Sequence, residues 1–319
     1  MSLSASARRL YDSQPVCKFI LVLNAVLWGY SFLVMKDVVA KISVGWLLAL
    51  RFIPAALLVF LLTHKKILSH LDKRTIFFGL GLGFLGWAGY ITQTIGLTFT
   101  TPGKNAFLTG VYSVLVPFCA WAIGLGKPER YNVVGAIVAL VGLGFVALDN
   151  GFPLNIGDAL TLMGAFFFAL QMAEVSKRGP GMDVASITFW EFIALGFVSL
   201  IWGIIFEPAP GFASFTWSDW GSLAFLSVVC SCFTIITTNH AFIHVDPTAG
   251  ALLSSLESPL GVIFSVLLGY EFLTGRLVFG FALILTGVLF SEGGPWIIAF
   301  LDSVRNKRQT EREVTAESR

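Results

Sequence analysis

Charge is what this chain has least of. Only 13% of its 319 residues are Asp, Glu, Lys or Arg, about half the roughly 25% of an ordinary soluble domain. So little polar surface cannot meet water on all sides, which argues against a soluble globular protein. The net charge of +2 and the lack of basic runs interleaved with stacking aromatics argue against a nucleic-acid partner. Histidine is scarce, with four in the whole chain. A membrane-embedded enzyme acting on lipid would cluster His, Asp, Ser or metal ligands at one depth, and these four do not supply that. No nucleotide-cradling GxxxxGK-type loop is present, so ATP drive within the chain is disfavoured. The four cysteines (Cys17, Cys119, Cys230, Cys232) lack metal-ligand spacing, and three lie inside apolar runs, where cysteine packs as a small hydrophobe rather than pairing. Neither end offers a stretch long enough for the soluble domain of a sensor or receptor. No small-residue cleavage site follows the first apolar run, so it is expected to be a retained helix.

What fills the chain instead is hydrocarbon. Hydrophobic residues make up 56% and the mean hydropathy is +0.81. A bilayer core of about 30 Å needs about 20 apolar residues per helix. The runs predict spans at 18–36, 45–63, 76–98, 104–125, 132–148, 157–176, 184–206, 218–242, 248–270 and 275–292. They are long and rich in Leu, Ala, Gly and Phe without alternation, so strands are not expected. Lys and Arg set the orientation. With the N-terminus inside, sixteen of them fall on the inner side, Arg51 lies within the second span, and the outer side keeps only Lys36, Lys41, Lys104 and Arg276. The reading is a multi-pass protein of the cell membrane with both termini cytoplasmic.

Residues 102–145 and 247–290 align without a gap at an offset of 145. Pro102 meets Pro247, Ala106 meets Ala251, Leu108 meets Leu253 and Ser113 meets Ser258. Gly124, Gly135 and Gly142 meet Gly269, Gly280 and Gly287. Glycine and proline mark backbone geometry, so their coincidence at one offset points to a duplication. Five crossings per copy make the second copy enter the membrane from the opposite side. The expected fold is therefore an all-α integral membrane protein, ten transmembrane helices as two inverted five-helix repeats, 18–148 and 155–292. The boundary falls near 149–154. Trp296 is an expected interfacial anchor within 295–301, and 302–319 is an expected cytoplasmic tail.

The residues then resemble a known family, the drug/metabolite transporter superfamily in its EamA-like branch. The likeness is carried by Trp28-Gly29 with Ser31-Phe32, Arg51-Phe52, Gly96-Leu97, and Ala106-Phe107-Leu108-Thr109 leading to Pro117. In the second half it is carried by Ser255-Leu256-Glu257 with Pro259, then Gly269, Glu271, Gly280 and Gly287. Two departures stand out: Ser258 separates Glu257 from the proline, and the aromatic-glycine pair reappears only as Phe168-Ala169. The resemblance implies a secondary transporter, not an enzyme, working by alternating access. It would export amino acids or other small metabolites, with proton coupling as in many relatives. A carrier of nucleotide-linked or lipid-linked sugars is the alternative within the superfamily, and it would call for more cavity-facing cations than Arg51. No cofactor or metal is expected. The partners are a small-molecule substrate, protons and membrane lipid, and a homodimer is allowed.

A charge inside a membrane costs roughly 2.5–3.5 kcal/mol on insertion scales, so each one is a candidate. Glu257 sits about 15 Å into its span, near the midplane, on a face with Ser254, Ser258, Gly261 and Ser265. It suits a proton or a substrate amine; the alternative is a hydrogen-bonded residue holding a helix interface. The duplication aligns it with Tyr112. Glu191 ranks next, between Trp190 and Phe192. Arg51 either snorkels outward or meets a carboxylate. Glu174 is expected to pair locally with Lys177 or Arg178, and Glu271 and Arg276 to serve a turn. Asn24, Trp28, Gln93, Asn105, Tyr112 and Gln171 complete the polar candidates, each equally readable as an interhelical hydrogen bond. The glycines of the third span are expected to pack closely. His240 and His244, one helical turn apart with Asp246 near, show no third ligand in the sequence, which weighs against a metal site.

Overall fold

The computed structural model describes residues 10–147, 155–270, 272, 274–276, 278–280, 282–287, 290 and 294. The expected boundary at 149–154, Glu271, Trp296 and the 302–319 tail lie outside them. In chain order the helices are α1 (Gln14–Val39), α2 (Val44–Ser69), α3 (Lys73–Thr98), α4 (Pro102–Ala122), α5 (Arg130–Ala147), α6 (Ile156–Arg178), α7 (Val184–Phe206), α8 (Trp217–His244), α9 (Pro247–Leu267) and α10 (Val278–Gly287). All but α5 and α10 are long and apolar enough to cross a membrane, eight in all. Among the described residues every regular element is helical.

Local chemistry sets the ends. Asp72 opens α3 by accepting from the Thr75 amide at 3.0 Å and the Thr75 hydroxyl at 2.7 Å. Asn155 and Asp158 open α6 as a reciprocal capping box. The apolar run of α2 ends where Thr63 leaves helical geometry (φ −132°, ψ 15°), and a polar extension follows.

The bundle is inverted relative to a soluble protein. Leu62, Phe77, Ile204 and Leu267 are exposed on its outside, while Asn24, Arg51, Gln93, Asn105, Glu191 and Glu257 are buried. That distribution suits a solvent of lipid around a polar interior. Helix α3 lies between α6 and α7, α7 also packs on α2, and α1 runs beside α8 and α9.

Two helices are broken. In α4, Pro102–Thr109 gives way to Tyr112–Ala122; in α9, Pro247–Ser254 gives way to Glu257–Leu267. All four boundaries coincide under the shift of 145 residues. So do the left-handed turn glycines that follow, Gly124 (φ 85°) and Gly269 (φ 80°). The broken helices pack on each other, with the Ser258 hydroxyl donating to the Ala106 carbonyl at 2.8 Å.

Candidate functional site

The candidate residues that the sequence marks are scattered along the chain, and the structure brings seven of them, one from each of seven helices, to one cavity. Trp28, Arg51, Gln93, Tyr112, Gln171, Glu191 and Glu257 all line a space of about 70 Å³, with Tyr90, Phe168, Thr238, Asn239 and Phe242 among its other walls. On that measure the space holds several waters. Asn105 and Ser254 are buried beside it rather than on its wall. Asn105 ties three helices together, donating to the Gln93 carbonyl at 3.1 Å and to the Thr161 hydroxyl at 2.8 Å. The Ser254 hydroxyl makes no hydrogen bond.

The two carboxylates differ in surroundings. Glu191 is held on both oxygens: Gln171 donates at 3.0 Å and Asn239 at 2.7 Å. Its helix sits tightly against the glycine face of α3, where a Cβ on Gly83 would lie 2.3 Å from the Glu191 carbonyl oxygen. Only glycine lets α3 and α7 come so near. Glu257 is the first residue after the break in α9. The Tyr112 hydroxyl faces it without the geometry of a completed hydrogen bond. Gly29 brings α1 against this break, since a Cβ there would meet the Glu257 carbonyl oxygen at 3.0 Å.

Arg51 does not snorkel, and among the described residues it meets no carboxylate. Its side chain is buried: Nε donates to the Ser231 hydroxyl at 2.6 Å, Nη1 points to the Met35 sulfur at 3.1 Å, and Nη2 donates to the Cys230 carbonyl at 3.0 Å. The guanidinium also lies 5.0 Å from the Phe52 ring centre and 4.8 Å from that of Tyr90, within cation–π range. The Cys230 carbonyl further accepts from the Trp28 indole at 3.1 Å and the Thr234 hydroxyl at 2.8 Å. It belongs to a π-helical stretch, Phe225–Phe233, within α8. Widened turns of this kind alter the backbone ladder, and here one carbonyl collects three side-chain donors.

Sequence reasoning missed this part of α8. Thr238 and Asn239 line the cavity, and Asn24 donates to the Thr237 and Thr238 hydroxyls, both at 2.9 Å. The polar run Thr234, Thr237, Thr238 and Asn239 inside an apolar span was the available signal. Elsewhere, Glu174 pairs with Arg178 at 2.8 Å as expected. Lys104 forms an ion pair with Asp158 at 2.8 Å in which both side chains are buried, a contact the charge pattern did not reveal. Asp246 caps α9 through the Thr248 and Ala249 amides rather than joining His240 and His244.

The EamA-like transporter family model matches the chain twice, over residues 17–148 and 155–292. The chain belongs to the EamA-like transporter family. This EamA-like chain is 30% identical over 279 residues to an uncharacterized transporter of Archaeoglobus fulgidus, covering 84% of this chain and 83% of that one. It is 22% identical to a Chlamydia muridarum S-adenosylmethionine/S-adenosylhomocysteine transporter over 62% of this chain and 67% of that one. A solved crystal structure 18% identical in sequence superposes with a TM-score of 0.71, covering 88% of this chain and 97% of that one, a likeness of fold. The EamA-like chain is thus a multi-pass membrane transporter.

Proposed function

We propose that the chain is a secondary active transporter of the cell membrane that exports amino acids or other small metabolites by alternating access. Ten helices form two inverted five-helix repeats, and the cavity lies where the broken helix of each repeat meets the other. The carrying observation is the charge inventory of that cavity: one guanidinium and two carboxylates, of which Glu191 is clamped by two amides while Glu257 faces the Tyr112 hydroxyl. With both carboxylates ionised, one positive charge is missing. A proton on Glu257 supplies it, and so does the amine of a substrate. Competition between the two for one carboxylate is the basis of proton-coupled export.

The walls favour a small amphipathic cation or zwitterion, because Trp28, Tyr90, Phe168 and Phe242 offer ring faces around the carboxylates. Of the two substrates named for the Chlamydia relative, S-adenosylmethionine carries a sulfonium and both carry an amine, which puts them in that class. A phosphate-bearing sugar nucleotide fits poorly, since Arg51 already serves Ser231, Met35 and Cys230.

The test starts from metabolites compared in cells and medium with and without the protein, followed by proteoliposome transport of whatever accumulates outside. Uptake driven by an imposed pH gradient supports the reading. Transport indifferent to that gradient removes the proton coupling, and no export at all removes the function.

A further inference from the structure

Away from the cavity, the start of α1 with the turn before it and the end of α8 bring together two pairs of side chains from distant parts of the sequence. Cys17 Sγ and one ring nitrogen each of His240 and His244 lie within 4.8 Å of one another. The Asp12 carboxylate stands against the two histidines of this group, with Oδ1 3.5 Å from His240 Nε2 and 3.9 Å from His244 Nε2. From these positions we infer that Asp12, Cys17, His240 and His244 form a site for a divalent late first-row transition ion of the zinc type.

The donor chemistry matches. Thiolate, imidazole and carboxylate are the ligands zinc takes in tetrahedral sites. Bonds of about 2.0–2.3 Å at tetrahedral angles put neighbouring donors about 3.3–3.8 Å apart; the Asp12–histidine separations are close to this, and Cys17 and the two imidazoles, within 4.8 Å of one another, must close in around an ion. One thiolate and one carboxylate balance a 2+ ion, and the imidazoles bind neutral. His244 Nδ1 lies 2.9 Å from the His240 carbonyl oxygen, which can only accept. The ring proton therefore sits on Nδ1, and Nε2 turns its lone pair toward Asp12, the outer-shell arrangement that orients metal-binding histidines. His240 is fixed between the Tyr11 ring, stacked at 4.2 Å, and the His244 ring at 4.5 Å, and its Nε2 lies 3.4 Å from the Tyr11 carbonyl oxygen, a contact that an ion on that nitrogen would replace. Cys17 is buried, yet Asp12, His240 and His244 open onto a cavity of about 800 Å³, which gives an ion its way in.

A bound ion would fasten the turn before α1 to the end of α8. The inference does not depend on the transport reading, because it concerns a different cavity and is tested by metal binding alone.

The experiment uses the full-length protein in detergent, without a polyhistidine tag, stripped with a chelator. Zinc is titrated against a chromophoric competitor, and Co²⁺ is added separately as a spectroscopic probe. The expected result is one zinc per chain, and a Co²⁺ complex with intense tetrahedral bands and a thiolate-to-metal charge-transfer band. Cys17→Ser removes that band, and both Cys17→Ser and His244→Ala weaken zinc binding by at least the roughly tenfold that even outer-shell changes cost. His70→Ala, on the same cavity wall but outside the group, leaves the affinity unchanged. If the wild-type protein takes up no stoichiometric zinc, or its Co²⁺ spectrum lacks the thiolate band, the site is refuted whatever the variants do. Zinc binding that survives both Cys17→Ser and His244→Ala refutes it as well.

Discussion

Tyr112 and Glu257 stand in matching places 145 residues apart: each is the first residue after the break in its helix, and each lines the central cavity. One place carries a phenol and the other a carboxylate, so the two broken helices differ chemically where they meet.

The first prediction separates the two carboxylates. Glu257→Gln removes the ionisable group but keeps a side-chain oxygen to face the Tyr112 hydroxyl, so the melting temperature stays close to that of the parent while transport no longer responds to a pH gradient. Glu191→Ala removes one of the two acceptors of each of the Gln171 and Asn239 amides, leaving them only the Leu82 carbonyl and the Thr188 hydroxyl, at about 1–3 kcal/mol. Thermal unfolding in detergent and proteoliposome flux, measured on both variants, check this. A Glu257→Gln protein with normal pH response returns that residue to a purely structural role.

A second prediction concerns how α7 is seated. Gly83→Ala drives a methyl into the Glu191 carbonyl and to 2.6 Å from the Ala194 Cβ, overpacking that costs about 1–3 kcal/mol. Gly81, two residues away, has nothing within 4 Å of a built Cβ. Gly81→Ala is therefore neutral or gains up to about 1 kcal/mol from helix propensity. Melting temperatures of the two variants, compared side by side, decide it.

These contrasts also mark what could be read from the residues alone. Glu191, Glu257 and Arg51 stand out because an ion inside an apolar span is expensive and needs a reason. The matched Pro102 and Pro247 mark the starts of the two broken helices and the matched Gly124 and Gly269 the turns after them, but no matched proline or glycine lies at the breaks themselves. The part played by α8 was barely legible. Ser, Thr and Asn are cheap in membrane helices, so the polar run that holds Thr238 and Asn239 is a weak signal, and nothing in a side-chain pattern announces that a π-helical stretch will offer the Cys230 carbonyl to three donors. The meeting of Asp12 and Cys17 with His240 and His244 was hidden for another reason. Ligand spacing was sought within one helix, and the missing donors came from the other end of the chain.

The buried pair of Lys104 and Asp158 yields a third prediction. Lys104→Met strands a buried carboxylate and lowers stability by about 3–5 kcal/mol. Adding Asp158→Asn removes the stranded charge while keeping a side-chain oxygen for the Asn155 amide, which Asp158 now accepts at 2.8 Å. The double variant is expected to recover most of the loss. A double-mutant cycle on melting temperature measures the coupling, and additive losses would show that the pair contributes nothing as a pair.

Arg51 supplies the last prediction. Its nitrogens reach three partners in three directions, and its flat face lies near two aromatic rings. Lysine keeps the charge but has neither the fork nor the face. Arg51→Lys is therefore expected to lose the hydrogen bond to Ser231 or Cys230, at about 1–3 kcal/mol, and to loosen the π-helical stretch they belong to. The charge inventory of the cavity is unchanged, so the response of transport to a pH gradient persists while the melting temperature falls. The opposite outcome, full stability with the pH response gone, would make Arg51 part of the coupling machinery rather than the anchor of α8.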